Sequence, residues 1–252
     1  MYLSQLLVNP GAHPDAPRPG IDWVKQTYRV HQRLWMAFPG KERQTQDPFF
    51  LGAWDAKEKG HTQRDASGFL YRIEPDPPLR ILVQSIQPPH WDYAFQNAMR
   101  LLCDEPSVRQ FDPTYTEQAK YRFRLVMLMV KRATENGPDG RKSRRELPIK
   151  CVKDLPDGRV VLDQNHTAWR ERLQAQADRN GFSVDPDKLV VSPVTNLYMK
   201  PTGKQRAQQF NAAMFDGIIE CTDAAKLSKA VVRGIGRGRA FGMGLLSLAK
   251  IR

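Results

Sequence analysis

Tyr28 and His31 lie three residues apart in the run Trp23-Val-Lys-Gln-Thr-Tyr-Arg-Val-His-Gln-Arg-Leu-Trp35. On a helix that spacing puts both side chains on one face. Histidine can give or take a proton near neutral pH, and a tyrosine one turn away can share its substrate, so the pair could do acid–base chemistry. A histidine beside a helix core is also a common packing or hydrogen-bonded residue, and that reading stays open. A second candidate is Gly234-Ile-Gly-Arg-Gly-Arg-Ala-Phe-Gly-Met-Gly244, five glycines and two arginines in eleven residues. Gly234, Gly236, Gly238, Gly242 and Gly244 tolerate positive φ and close approach, so main-chain N–H groups can turn outward to an anion. Arg233, Arg237 and Arg239 add fixed positive charge. A connection whose glycines only permit tight packing has the same composition. Lys200, Lys204 and Arg206 form a third, basic cluster.

Each candidate needs an element to hold it. After Asp22, read as a helix cap, Trp23, Thr27, Val30 and Leu34 recur at helical spacing. Val24, Tyr28, His31 and Trp35 form a second stripe beside the first, which puts Tyr28 and His31 at the margin of a core. Lys25, Arg29, Gln32 and Arg33 take the remaining surface. The glycine stretch follows a helix capped by Asp223, with Ala224, Leu227, Val231 and Val232 on its apolar face. Gly234 reads as the left-handed terminator of that helix, and the apolar run 245–251 reads as a final strand. Helix, glycine loop, strand is the reverse of the order in a dinucleotide fingerprint or a Walker loop, and neither spacing is present. Residues 196–200 and 208–215 read as a hairpin whose turn carries Lys204 and Arg206, with Lys200 beside it.

The rest of the chain supplies the repeat. Residues 2–9 read as a strand, 40–67 as a charged extended loop, 69–73 and 79–85 as strands, and 91–102 as a helix. After a proline-containing linker, residues 120–131 read as a strand, 136–145 as a basic loop, and 167–180 as an amphipathic helix with Trp169, Leu173 and Ala177 inward and Gly181 as its stop. Strand, helix, strand, strand, helix is most of a ferredoxin-like βαββαβ unit, and the order occurs twice. The fold expected is α+β with two tandem ferredoxin-like domains, residues 1–104 and 118–252, joined by a linker at 105–117.

The chain has 252 residues, 40% of them hydrophobic, which suits a globular core, and a formal net charge of +12. That charge favours a polyanionic partner, with nucleic acid ahead of a membrane surface because no long basic amphipathic helix stands out. Cys103, Cys151 and Cys221 are odd in number and far apart, so they suggest neither a disulfide framework nor a zinc site, and the cytoplasm is the expected compartment. No HExxH and no other metal-ligand spacing is present, and no cofactor is expected. No apolar run reaches a membrane-spanning length.

A basic chain with Tyr28-Arg-Val-His31 on its first helix and residues 234–244 before a final Leu-Leu-Ser-Leu strand resembles the CasE family. These are the endoribonucleases that process CRISPR RNA in type I-E Cascade, within the RAMP superfamily. The similarity runs through residues 1–10 and 28–34, Tyr71-Arg-Ile-Glu-Pro, Leu82-Val-Gln, Phe215-Asp-Gly and 233–248. It implies metal-independent cleavage of repeat RNA at the 3′ base of its stem-loop, with Cascade subunits as protein partners. His31 would be the general acid or base, and Tyr28 would orient or stabilise the reacting groups. Lys200, Lys204 and Arg206 fall where the family inserts positive charge into an RNA groove, and the glycine loop with its arginines would bind RNA. Relatives can carry a lysine about one turn beyond the histidine, whereas this chain reads Leu34-Trp-Met-Ala. A cation at the phosphate would then come from Arg29, Arg33 or a loop arginine. A non-cutting RNA-binding subunit and a structural Cascade subunit are the alternatives on the same fold.

Overall fold

The computed structural model describes residues 1–11, 18–38, 69–136, 142–154, 160–194, 198–199, 208–209 and 211–251. The first sheet begins at β1 (Tyr2–Leu7), whose alternation buries Ser4 and Leu6 and leaves their neighbours half-buried. It pairs antiparallel with β3 (Arg80–Ser85) on one side and β4 (Ser107–Gln110) on the other, and β2 (Phe69–Glu74) pairs with β3 at the opposite edge. The resulting order β2-β3-β1-β4 is that of a ferredoxin-like sheet. β4 corrects the expected linker at 105–117. All four of its side chains are exposed, so it carries no alternation, and only its backbone pairing with β1 makes it a strand.

The helical layer on this sheet is α1 (Pro19–Val24), α2 (Thr27–Trp35) and α3 (Trp91–Phe95). Trp23, Val30, Leu34, Trp91 and Phe95 join Leu6, Phe69, Tyr71, Ile81 and Val83 in one core. The expected first helix is thus two. Asp22 lies inside α1 rather than capping it, because Pro19, with its fixed φ and no N–H to satisfy, opens the helix; Asp22 instead pairs with Lys25 at 3.1 Å. The helix expected over 91–102 also divides, into α3 and a 3-10 turn at Met99–Leu101. Asn97, which favours turns over helix interiors, stands between them.

The second sheet runs β10 (Phe182–Val184), β14 (Ala212–Cys221), β5 (Lys120–Leu128), β15 (Ser247–Lys250), with β11 (Val190–Val194) also on β14. Tyr121, Phe123, Leu125 and Met127 alternate inward from β5 and meet Trp169, Leu173 and Ala177 of α4 (Thr167–Ala177). Leu227, Ala230 and Val231 of α5 (Ala224–Arg233) join the same core. Gly181 closes the α4 end in the left-handed region, and the Asp223 side chain caps α5 by accepting from the Lys226 N–H, both as expected. Gly234 ends α5 at φ 74° and ψ 159°, which corrects the left-handed cap expected there; the chain leaves extended because Ile235 must donate to Gly244 O. Three hairpins are added to this half: β6 (Val130–Asn136) with β7 (Lys142–Pro148), β8 (Val152–Asp154) with β9 (Val160–Leu162), and β12 (Tyr198–Met199) with β13 (Gln208–Gln209). Residues 142–145, expected in a loop, therefore belong to a strand whose charged sequence hides it. Among the described residues no helix is long and apolar enough to cross a membrane.

Ion pairs join the halves. Arg72, 3% exposed, reaches from β2 into the second half and donates to Arg124 O (3.1 Å), Leu245 O (3.0 Å) and Ser247 Oγ (3.0 Å). Glu74 bridges Arg72 and Arg124 with contacts of 2.6 Å each, and Arg124 Nε reaches Asp216 at 2.6 Å. Burial acts to raise the Glu74 pKa, but the two guanidinium groups outweigh it and hold the carboxyl below its ordinary 4.5. Its contribution to stability is therefore complete above the ordinary carboxylate range and is lost as pH falls through the depressed value. Glu74→Gln leaves Arg72 buried without its counter-ion, and should destabilise the protein by about 3–5 kcal/mol in denaturant unfolding at neutral pH. The deficit relative to wild type should narrow at acid pH; a constant deficit would show that the charge of Glu74 is not what is lost.

Candidate functional site

α2 packs its Val30 and Leu34 stripe into the core and turns Tyr28 and His31 to its edge. Tyr28 is 39% exposed. His31 is half-buried in an aromatic bed, stacked on Phe69 (centroids 5.3 Å) and Tyr71 (6.3 Å) and edge-on to Trp35 (5.6 Å). Its Nδ1 is enclosed with no hydrogen-bond partner among the described residues, so Nε2 is the nitrogen left to meet a substrate. Burial lowers its pKa from the ordinary 6.5, which makes the neutral, proton-accepting form the resting state at neutral pH. It is the rings that fix where the imidazole sits.

The glycine stretch reaches this helix by wrapping over the edge strand β2. Successive β2 side chains point to opposite faces. At its start Gly234 lies against Leu70 on the face toward the second half, where a Cβ would come within 2.8 Å of Leu70 Cδ2. At its end the 3-10 turn Arg239–Phe241 packs on α2, on the Tyr71 face. The Tyr71 hydroxyl, fully buried, lies 2.9 Å from Thr27 O at the start of α2 and 3.1 Å from Ala240 O in the turn. One phenol thus fastens the histidine-bearing helix to the glycine loop, and burial raises its pKa so that it stays a hydroxyl.

Gly234, Gly236, Gly238, Gly242 and Gly244 all have positive φ. The expectation that the loop turns its N–H groups to an anion needs correcting in part. The N–H groups of residues 234, 235 and 241–244 donate to carbonyls inside the protein, because the loop is folded on itself and on β5. Among the described residues, no backbone carbonyl accepts from Gly236 or Gly238, so an outward main-chain contact is confined to that tip. Arg237 is exposed there, and Arg239 donates to Gly234 O at 3.1 Å.

The candidate cation sources separate. Arg33 is turned to α3, donating to Ala94 O and Asn97 Oδ1, both at 2.9 Å. Arg29 lines a hollow of about 450 Å³ with Arg33 and Arg100. The glycine loop is the source that the fold brings onto α2. Lys200, Lys204 and Arg206 lie outside the described residues, as does the stretch 40–67, but β12, at the base of the hairpin that carries the three basic residues, lies beside α2. The loop turn and the hairpin base therefore each lie against α2. Among the described residues no three His, Cys, Asp or Glu side chains gather as a metal-ligand set.

A family model described as CRISPR associated protein matches residues 1–250. The chain belongs to that family. Its relatives include the CRISPR-associated endoribonuclease Cse3 of Thermus thermophilus, 24% identical with 99% of this chain and 100% of the relative covered. The Cascade subunit CasE of Escherichia coli is 23% identical, with both chains covered in full. Among solved structures, Thermus thermophilus Cse3 bound to an RNA representing a pre-cleavage complex matches with TM-score 0.64, 22% identity and 98% of each chain. Cas6e of Escherichia coli matches with TM-score 0.57, 21% identity and 100% of each chain. The likeness carries the tandem ferredoxin-like fold to this member of the CRISPR-associated family.

Sequence reasoning passed over Tyr71 and Arg72 as functional residues. A tyrosine inside a strand reads as core, and its two-carbonyl contact joins residues 44 and 169 positions away. The signal within reach was the conjunction of a buried polar aromatic with an edge strand. Tyr71→Phe keeps the ring stack but removes the hydroxyl that the Thr27 and Ala240 carbonyls share, and should cost about 1–3 kcal/mol in thermal or denaturant unfolding. Hydrogen exchange should quicken in residues 239–242, and unchanged exchange there would remove Tyr71 as the fastening. Gly236 and Gly242 share φ of 80°, yet a Cβ at Gly242 would sit 3.1 Å from Tyr71 Cε2 while one at Gly236 meets nothing nearer than 3.9 Å. Gly242→Ala should therefore destabilise more than Gly236→Ala; equal losses would show that backbone strain alone matters.

Proposed function

We propose that this protein is a metal-independent endoribonuclease that binds CRISPR repeat stem-loops and cuts the precursor RNA at the 3′ base of the hairpin, handing mature CRISPR RNA to Cascade subunits in the cytoplasm. The observation that carries the proposal is His31, its Nδ1 enclosed and its pKa lowered by burial among rings, on the helix against which both the glycine loop and the base of the basic hairpin lie. In the reaction the 2′-oxygen of the nucleotide before the cut attacks the adjacent phosphorus and the bond to the 5′-oxygen breaks. The products are a 2′,3′-cyclic phosphate and a 5′-hydroxyl. Neutral His31 takes the 2′-hydroxyl proton, the departing 5′-oxygen takes a proton from solvent water, and Tyr28 orients the reacting phosphate through its exposed hydroxyl. Arg237, exposed at the loop tip, offsets charge on the phosphate, Arg233 and Arg239 hold the RNA backbone where it crosses the loop, and the glycines admit that backbone to the tip. The relatives' names, an endoribonuclease and a Cascade subunit, support the same reading. The three ring contacts of His31 also suit a residue that only packs, in a subunit that binds RNA without cutting, so the decisive experiment separates the two acts.

His31→Ala should lose about 10² to 10⁴ of the single-turnover rate while binding a repeat hairpin within a few-fold of wild type. Tyr28→Phe should lose less, and EDTA should change neither rate. Wild-type cutting by His31→Ala, or cleavage abolished by chelation and restored by magnesium, would overturn the assignment. Because burial lowers the His31 pKa and the base must be unprotonated, kcat/KM should rise with pH to a plateau, with its half-point below 6.5. A rate that falls as pH climbs from 6 to 8 would make His31 the acid instead.

Recognition of the stem should be led by phosphate contacts and shape, since the deep groove of A-form RNA offers side chains little sequence information. Replacing Lys200, Lys204 and Arg206 by Ala should lower the slope of log K against log salt by about 0.7 to 0.9 for each phosphate that is no longer neutralised. An unchanged slope would take the hairpin out of the RNA site.

A further inference from the structure

On the side of the glycine loop away from Tyr71, a cavity of about 320 Å³ opens between α5, the end of α4 and residues 234–236. Arg179, Lys226, Lys229, Arg233 and Arg239 line it, and no Asp, Glu or aromatic residue is among the described residues that do. Lys226, Lys229 and Arg233 stand at positions i, i+3 and i+7 of α5, a stripe of one sign that weakens an isolated helix. Asp223 offsets Lys226 at 2.9 Å, whereas among the described residues Arg179 and Lys229 form no ion pair. A groove that gathers cations at some expense to its helix is built for an anion. Its size is near the lower end of the range of about 300–1,000 Å³ for ligand pockets, enough for a phosphate with its ribose and too little for the breadth of a duplex. With no ring to stack a base, it engages backbone and not sequence.

The glycine loop connects this cavity to the reaction site. Gly236, whose outward side is open, lies on the cavity wall, while Arg239 lines the cavity and also begins the turn that packs on α2. Resting on the RNA-processing reading above, we infer that the cavity is a second RNA subsite, which takes a backbone phosphate of the single-stranded segment flanking the repeat hairpin after the strand has crossed the glycine loop. Arg179 and Lys229 are its distinguishing residues, since they stand just past α4 and on α5, not on the glycine loop, and both are exposed on the surface.

The test compares wild type with Arg179→Gln/Lys229→Gln in the full chain, using a bare repeat hairpin and the same hairpin with single-stranded flanks. A thermal melt confirms that both proteins fold. The double variant should bind the flanked RNA more weakly, with a salt slope lower by about 0.7, the value for one single-strand phosphate that is no longer neutralised. Its affinity for the bare hairpin and its single-turnover cleavage of it should equal those of wild type. If wild type binds and cuts, and the variant binds flanked RNA with the same affinity and slope, the subsite is wrong and the processing reading stands. If the variant keeps its RNA binding but no longer joins its protein partners, the cavity is a protein contact and the inference is overturned. If wild type binds neither RNA, both readings fall.

Discussion

Two neighbouring residues of one edge strand decide how this molecule is assembled. Because successive side chains of β2 face opposite ways, Tyr71 enters the core beneath α2 and Arg72 enters the seam between the two sheets. The first ends in a hydroxyl shared by two carbonyls, and the second in a guanidinium whose donors meet Glu74, Ser247 and two carbonyls. Gln84 on β3 adds a bond to Val231 O at 2.6 Å, on the same face as Arg72. A one-residue slip of β2 would exchange the two faces, putting a cation in the aromatic core and a phenol among carboxylates. The register of a single six-residue strand therefore sets the relation of the two halves.

The site is composite as a result. His31, the proton acceptor of the proposed reaction, belongs to the first half, and its ring neighbours Phe69, Tyr71 and Trp35 belong there too. The cations and the open backbone come from the second. Among the described residues, His31 and the glycine loop that the proposal brings together lie in different halves. The low polarity that keeps the imidazole neutral comes from the rings around it, while the positive charge that a phosphate needs arrives from a loop that is anchored separately.

Much of this was legible in the chain. The Trp23, Thr27, Val30 and Leu34 stripe is buried as spaced, Tyr28 and His31 lie at its margin, and the Asp223 cap and the inward face of α4 stand where periodicity puts them. The repeat order survives because each core strand carries its own hydrophobic alternation. What escaped was held by backbone or by distance. β4 and β7 have polar sequences and exist through pairing alone. The division of α1 from α2 turns on Pro19 and not on Asp22. The inward bonding of the loop N–H groups depends on Val126 O, more than a hundred residues upstream, and the partners of Tyr71 are equally remote. Local pattern reports which face is buried; it does not report what lies against it.

The glycine loop wrapped over β2 also bears on synthesis. The segment 69–74, Phe-Leu-Tyr-Arg-Ile-Glu, is strand-forming, four of its six residues are apolar or aromatic, and it stands at a sheet edge, the kind of surface to which a second chain can add. The residues that lie across it are numbered 234–244, so a growing chain completes its first sheet long before the segment that shields it exists. Through that interval the edge is open to pairing between nascent chains, and a chain cut short of the glycine stretch keeps it open for good. The loop thus serves solubility as well as the site, which binds any change in its sequence to two separate demands.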